Sequence, residues 1–435
     1  MPVSRHIKDF IDKQSKLRLF ALALVPRLVW WLLVFFLTGD FHLYDSSQFV
    51  LLADNLIEHQ VFSRSYSEPF FPDIARTPGY PLFIVFFKSW GCSLHAISFI
   101  QMLLGSALPV LVYRIARNLN FKGAWASFLL LCLSPSLMLF AALLISDGPF
   151  LLILVTIIWL LFRQKDRFNL VVLGVLCGLL AITRPIGQFL PILFVVYLIS
   201  IKVPWSRVLL FFVASAMLPA LWSLRNYHEF GTYRLSSMSA NNLLMYNATA
   251  AMASAENRPF SEVQYDVAIA ANESQNWENE DATETYLNYC RTEAFRIFKE
   301  HPTHVLKNTA KSLLFYHLKP PRSYFDKSLG LRYKYDPLLG YSELPNATFF
   351  DRLKNTSLVS LLLATIQVVI NLLLLLFGVR GFFRLKRSNG PMAWLLIAMV
   401  CYFWFLSVFT MTDARFQLPS LLLLALLSAR GFVKR

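Results

Sequence analysis

The chain predicts an all-α polytopic membrane protein with about 10–11 transmembrane helices and a mixed, partly helical extracytoplasmic domain. Composition is the first reason: of 435 residues, 56% are hydrophobic, only 15% are charged and 39 are phenylalanine. An ordinary soluble domain carries roughly a quarter of its residues charged. The second reason is that apolar runs near the roughly 20 residues needed to cross hydrocarbon begin around positions 18, 93, 122, 148, 168, 187, 206, 356, 391 and 415. The third is that lysine and arginine recur in alternate loops, as the positive-inside rule requires.

The first eighteen residues hold Arg5, Lys8, Lys13, Lys16 and Arg18, at the start of the first run, 17–37, which places the N-terminus in the cytoplasm. That run is too long for a signal-peptide core and no small-x-small site follows it, so it is expected to remain as the first span. An outer segment, 38–91, comes next. Within it Asp45, Phe49 and Ala53 recur at helical spacing. The apolar piece 80–90 carries Lys88, is bounded by Pro78, Gly79, Pro81 and Gly91, and is about half a crossing long. Treated as an outer surface or re-entrant helix, it leaves every later basic loop in the cytoplasm: Arg114, Arg117 and Lys122; Arg163, Lys165 and Arg167; Lys202 and Arg207; Arg380, Arg384, Lys386 and Arg387; and Arg430, Lys434 and Arg435. The short loops of opposite parity carry only Arg184 and Arg415.

These runs divide the chain into an N-terminal membrane module (1–222), an outer domain (223–355) and C-terminal spans (356–435). The outer domain has an acidic stretch over 256–300, followed by a basic and aromatic stretch with Lys307, Lys311, Lys319, Arg322, Tyr324, Lys327, Arg332 and Lys334. The formal charge of +15 sits largely in the cytoplasmic loops, which accounts for it without nucleic acid as a partner. Five cysteines show no CxxC pattern, and only Cys92 and Cys290 stand where a disulfide could form outside.

Against this apolar background Asp45, Arg76, Asp147, Arg184, Arg225 and Arg415 all fall at the outer membrane face. Singly, each has an ordinary explanation. Asp45 and Asp147 stand at helix starts, where aspartate caps, and Arg76 suits a snorkelling role at headgroup level. Together, two carboxylates and four arginines suit an anionic, membrane-embedded substrate such as a lipid phosphate, because guanidinium grips phosphate through a planar fork and keeps its charge. No P-loop, GxGxxG or Asp-x-Asp pattern for a soluble phosphate donor is present. His301 and His304 have helical spacing but no evident third ligand, so no metal site is assigned and no cofactor is certain.

The ordered set D-x3-F-x3-A-D-N-L from Asp45, RTPGYPLF from Arg76, SDG from Ser146, TRP from Thr183, WSLRNYHEFG from Trp222 and DARFQLP from Asp413 resembles the integral-membrane glycosyltransferases of the GT-C superfamily. The likeness is strongest to the bacterial branch related to protein O-mannosyltransferases and to the aminoarabinose transferase that modifies lipid A. It implies the GT-C fold, a polyprenyl phosphate sugar as donor, an extracytoplasmic glycan, lipid or protein as acceptor, and a bacterial inner membrane with the site facing the periplasm. It carries the catalytic base onto Asp45 and a second acid onto Asp147, and leaves a divalent metal open. Departures fall at Ser46, where many relatives have a second acid, and at Gln48 and Phe49, where the aminoarabinose enzymes have arginine and tyrosine. These put lipid A aminoarabinose transfer itself in doubt.

Chemistry agrees with that assignment. A sugar leaving from phosphate needs little acid help, so one base for the acceptor hydroxyl suffices, and attack opposite the phosphate predicts inversion. Arg76, Arg225 and Arg415, with Arg184, are the expected phosphate ligands. Lys319, Arg322 and Tyr324 are candidates for donor contacts or a lid; adhesion to anionic lipid is the other reading of that stretch. A transporter or flippase of lipid-linked sugars is the rival function, though its charges belong near the bilayer midplane and often in internal repeats.

Overall fold

The computed structural model describes residues 11, 14–163, 166–273, 282–331, 357–410 and 413–432. Arg332 and Lys334 of the basic stretch lie outside these residues, as do Arg5, Lys8, Lys13, Lys165, Lys434 and Arg435 of the basic loops. Among the described residues the chain is helical, with one isolated antiparallel bridge, Ser63 to Pro72, and no strand. The outer domain is therefore more helical there than its mixed composition suggested.

Each predicted run forms a helix or a helix pair. The membrane series is α1 (Lys16–Leu37), the outer helices α2 (Tyr44–Glu58) and α3 (Gly79–Ser89), then α4 (Leu94–Asn118), α5 (Ala124–Cys132), α6 (Pro135–Ala142), α7 (Asp147–Leu161), α8 (Arg167–Thr183), α9 (Leu190–Ser200) and α10 (Trp205–Phe230). The outer domain holds α11 (Met238–Asn242), a π-helical turn Leu243–Ala248, α12 (Thr249–Glu256), α13 (Phe260–Glu273), α14 (Ala282–Glu300), α15 (Pro302–Phe315) and the short α16 (Arg322–Ser328). The chain then returns through α17 (Leu358–Ser388), α18 (Gly390–Thr410) and α19 (Leu418–Gly431).

Among the described residues five helices are long and apolar enough to cross, or six if α5 and α6, bent by 55°, count as one broken span. The helices α7, α8, α9 and α19 are shorter. Two of these short helices are the most enclosed: α7 and α19 are buried along most of their length, whereas α10 is mostly outward-facing. A helix wrapped by other helices need not match the hydrocarbon thickness, since its neighbours satisfy that constraint. The short helices also meet the charged positions at their outer ends. Asp147 begins α7, Arg184 follows α8, and Arg415 precedes α19.

Two local features hold this bundle tightly. Gly381 on α17 and Gly431 at the end of α19 let the two backbones touch; a Cβ on Gly381 would lie 1.9 Å from the Leu427 carbonyl and one on Gly431 2.0 Å from that of Phe377. Such close small-residue packing replaces the hydrophobic drive that lipid cannot supply. At the break between α5 and α6, Pro135 has no N–H to offer the Leu131 carbonyl four residues back. Arg27, fully buried in α1, donates Nη2 to that carbonyl at 3.1 Å and Nη1 to Ala23 at 2.8 Å.

One hydrophobic cluster fills the membrane bundle and a second, centred on Leu244, Ala248, Val263, Leu287 and Ile297, fills the outer domain. Helix α10 passes through Trp222 and Ser223 without interruption and ends at Phe230, so the outer domain grows from a continuous helix. All five cysteines are free, including Cys92 and Cys290. Helix α3 buries Tyr80 and Ile84 and exposes Leu82, Phe86 and Trp90, the one-sided pattern of a helix lying at an interface.

Candidate active site

The site starts at the first turn of α2. Leu43 occupies the N-cap position, and its backbone N–H donates to the Ser46 hydroxyl at 2.8 Å. The cap is thus supplied by Ser46, and the capping role expected for Asp45 does not hold. The buried Asp45 carboxylate instead accepts from Arg76 Nη2 at Oδ1 (2.5 Å) and from Arg415 Nη1 at Oδ2 (2.6 Å). Burial alone would push its pKa up, but the charges and hydrogen bonds of Arg415 and Arg76 outweigh it and hold the carboxyl well below the usual range. The helix N-terminus adds in the same direction.

Arg76 is aimed by residues from the same helix. Gln48 Oε1, one turn beyond Asp45, accepts from Arg76 Nε (3.0 Å) and Nη2 (2.8 Å) and from Arg64 Nη1 (3.2 Å). The Phe49 ring lies under the guanidinium, 5.1 Å from its carbon. Asp73 fixes the backbone behind it, accepting the Arg76 N–H at 2.9 Å and Arg64 Nε at 2.5 Å. Gln48 and Phe49 are thus the supports of Arg76.

Asp147, at the start of α7, is not a cap either; it is ion-paired with Arg184. The Arg184 guanidinium also faces the Phe416 ring at 5.4 Å, and Arg415 faces the same ring at 5.1 Å. Phe416 therefore joins the two ion pairs into one patch. Five of the six charged positions singled out from the sequence meet there.

Arg225 does not join them. It donates to the Asp73 carbonyl at 2.8 Å and packs over Phe62, Trp222 and Phe230, so it braces the outer loop behind Arg76. The proposed lid residues also divide. Arg322 is exposed at the start of α16. The Lys319 carbonyl accepts from Gln417 Nε2 at 2.6 Å, and burial lowers the pKa of its amine. Tyr324 is buried and donates its hydroxyl to Asp413 Oδ2 at 2.5 Å, which turns it inward.

Sequence reasoning missed Arg64, the supporting roles of Gln48 and Phe416, and Tyr246. The half-buried Tyr246 sits on the π-helical turn, and its hydroxyl feels Asp45, Arg415, Tyr44 and Arg76 after burial, the largest influence, has raised its pKa. Nothing in local sequence signals it, although π turns do concentrate at functional sites. Among the described residues no group of three or more His, Cys, Asp or Glu side chains could hold a metal ion, and the His301 and His304 rings lie 6.3 Å apart.

Comparison with known proteins bears on the same patch. The family described as dolichyl-phosphate-mannose-protein mannosyltransferase matches residues 75–223, a stretch that contains Arg76, Asp147 and Arg184. The match covers about a third of the chain. Among solved structures the chain is similar to the crystal structure of ArnT from Cupriavidus metallidurans in the apo state, at 14% identity, over 95% of this chain and 77% of that one, with a TM-score of 0.38. No curated protein matches.

Proposed function

We propose that this protein is a membrane glycosyltransferase that moves a sugar from a polyprenyl phosphate carrier to an acceptor hydroxyl on the outer side of a bacterial inner membrane, with inversion. The observation that carries the reading is the sharing of one buried carboxylate, Asp45, between Arg76 and Arg415 at the outer ends of apolar helices. The matched family's name, with its lipid-phosphate sugar, supports the donor class.

At rest Asp45 is a poor base because both its oxygens are bound by guanidinium groups. A donor phosphate offers those groups a better partner, since arginine binds phosphate in a bidentate fork. Once Arg76 and Arg415 turn to the phosphate, Asp45 loses its compensating cations and its proton affinity rises. It then takes the proton of the acceptor hydroxyl as the acceptor oxygen bonds the anomeric carbon. The bond from that carbon to the phosphate oxygen breaks, and its electron pair leaves on the polyprenyl phosphate, where the arginines stabilise the charge. Asp147 holds Arg184 against Phe416 and so shapes the neighbouring wall of the site.

The test is incubation of purified protein with a panel of synthetic polyprenyl phosphate sugars and cell-envelope extract, following released polyprenyl phosphate and the anomeric configuration of the product. Consumption of a donor with inversion is expected. Binding without consumption, together with movement of lipid-linked sugar across reconstituted bilayers, would replace this reading with transport.

A further inference from the structure

The two halves of the Asp45–Arg415 pair come from opposite ends of the chain, 370 positions apart, so something must hold them in register. One seven-residue helix, α16, contacts both sides. From Tyr324 to Ser328 every residue is committed to a different partner. Tyr324 donates to Asp413 Oδ2 at 2.5 Å, and Asp413 Oδ1 accepts the Arg415 backbone N–H at 2.9 Å. Phe325 packs edge-on against Trp30 of α1 at 5.6 Å. Asp326 Oδ1 accepts the hydroxyls of Ser357 (2.9 Å) and Ser360 (2.5 Å) at the start of α17. Lys327 Nζ donates to the His42 carbonyl at 2.9 Å, and the Ser328 carbonyl accepts the Thr38 hydroxyl at 3.0 Å.

His42 and Thr38 belong to the connection that runs from α1 into the helix bearing Asp45. Asp413 caps the short 3-10 turn, Ala414–Gln417, that bears Arg415. The segment before α16 grips the same turn twice more, through Tyr316 Oη to the Phe416 carbonyl (2.7 Å) and Gln417 Nε2 to the Lys319 carbonyl (2.6 Å). Asn371 of α17 anchors the other side, donating Nδ2 to the His317 carbonyl at 2.6 Å and to Gln417 Oε1 at 3.2 Å.

We infer that α16 is a clamp that sets the distance between Asp45 and Arg415, with Tyr324 its principal positioning residue. Its consequence for catalysis rests on the glycosyl-transfer reading; its mechanical part does not. Tyr324 is hydrogen-bonded to Asp413, which in turn holds the Arg415 backbone, and its hydroxyl lies within the electrostatic reach of Arg415 and Asp45. A loose clamp leaves the residues present and the geometry wrong, and an error near 1 Å in such a site costs about 100-fold.

A double-mutant cycle on the full chain tests this. Tyr324→Phe keeps the ring that packs on Phe140 and removes only the hydroxyl. It is expected to slow single-turnover donor consumption by about 10- to 100-fold in the wild-type background. With Arg415→Met already present, the same change should cost less than about threefold, because positioned and positioning residues are not independent. Equal losses in the two backgrounds would overturn the proposal. Lys327→Met, which loosens the clamp from the His42 side, repeats the cycle should Tyr324→Phe not fold. If the wild type consumes no donor, the functional reading fails and the cycle is read in melting temperature instead. There the clamp predicts a loss in the double variant smaller than the sum of the single ones, and additive losses would overturn it.

Discussion

The ion pairs of the outer domain and those of the site look alike one at a time and differ in how they are built. In α14, Arg296 pairs with Glu293 at 2.6 Å and Glu300 at 2.5 Å, three and four residues away on one exposed helix face. In the site, Asp45 pairs with Arg76 and Arg415, 31 and 370 positions distant, and the three side chains are only 12–14% exposed. The local pairs form with the helix itself and are screened by water, so they contribute about 0.3–0.5 kcal/mol each. The distant pair forms only when the whole bundle has closed, and removing one partner strands a desolvated charge. Charge in this chain therefore becomes informative where local structure offers no reason for it.

Asp45→Asn should sharpen that contrast most. Loss of the proposed base is expected to lower donor consumption by about 10²- to 10⁴-fold. The same change removes a pH-dependent contribution to stability. Because the folded pKa of Asp45 lies below its unfolded value, that contribution is complete above about pH 4 and is lost as pH falls through the folded pKa. Acid unfolding of the variant should therefore be less steep, as followed by melting temperature against pH. Asp147→Asn should come next, leaving Arg184 without its partner. A loss on the order of 3 kcal/mol, read from the unfolding midpoint, is expected, and a loss no larger than that of a surface pair would erase the distinction.

His317 offers a smaller test. Burial lowers its pKa to about 4, and among the described residues its Nε2 has no hydrogen-bond partner. The unfolded state, near 6.5, binds the proton first, so stability should fall as pH drops from about 6.5 towards 4. His317→Phe should flatten the melting-temperature curve across that window. Arg296→Ala stands at the bottom of the series. A shift of about 1 °C or less is expected, in keeping with an exposed local pair.

How much of this was legible in the sequence follows from the same distinction. The apolar runs gave away each membrane helix, because hydropathy is a local property. That α7 and α19 are enclosed by other helices was not legible, because enclosure depends on packing between distant parts of the chain. Asp45, Arg76, Asp147, Arg184 and Arg415 were readable as charges at apolar helix ends. Their pairing was not, because it depends on which way side chains point across 31, 37 and 370 positions. Arg225 stands apart from the patch for the converse reason. It has the same outward position as the others, but the aromatic rings of Phe62, Trp222 and Phe230 and the Asp73 carbonyl claim it. Tyr324 was noticed as part of a basic and aromatic stretch, and only its bond to Asp413 shows that it faces inward.

Under the proposed function a lipid phosphate and Asp45 compete for Arg76 and Arg415. Equilibrium binding of polyprenyl phosphate to the wild type and to Asp45→Asn, each in detergent at the same salt, tests it most directly. The variant, with no carboxylate holding the arginines, should bind the phosphate at least as tightly as the wild type while its sugar transfer falls by about 10²- to 10⁴-fold. Weaker binding by the variant, or unchanged transfer, would contradict it.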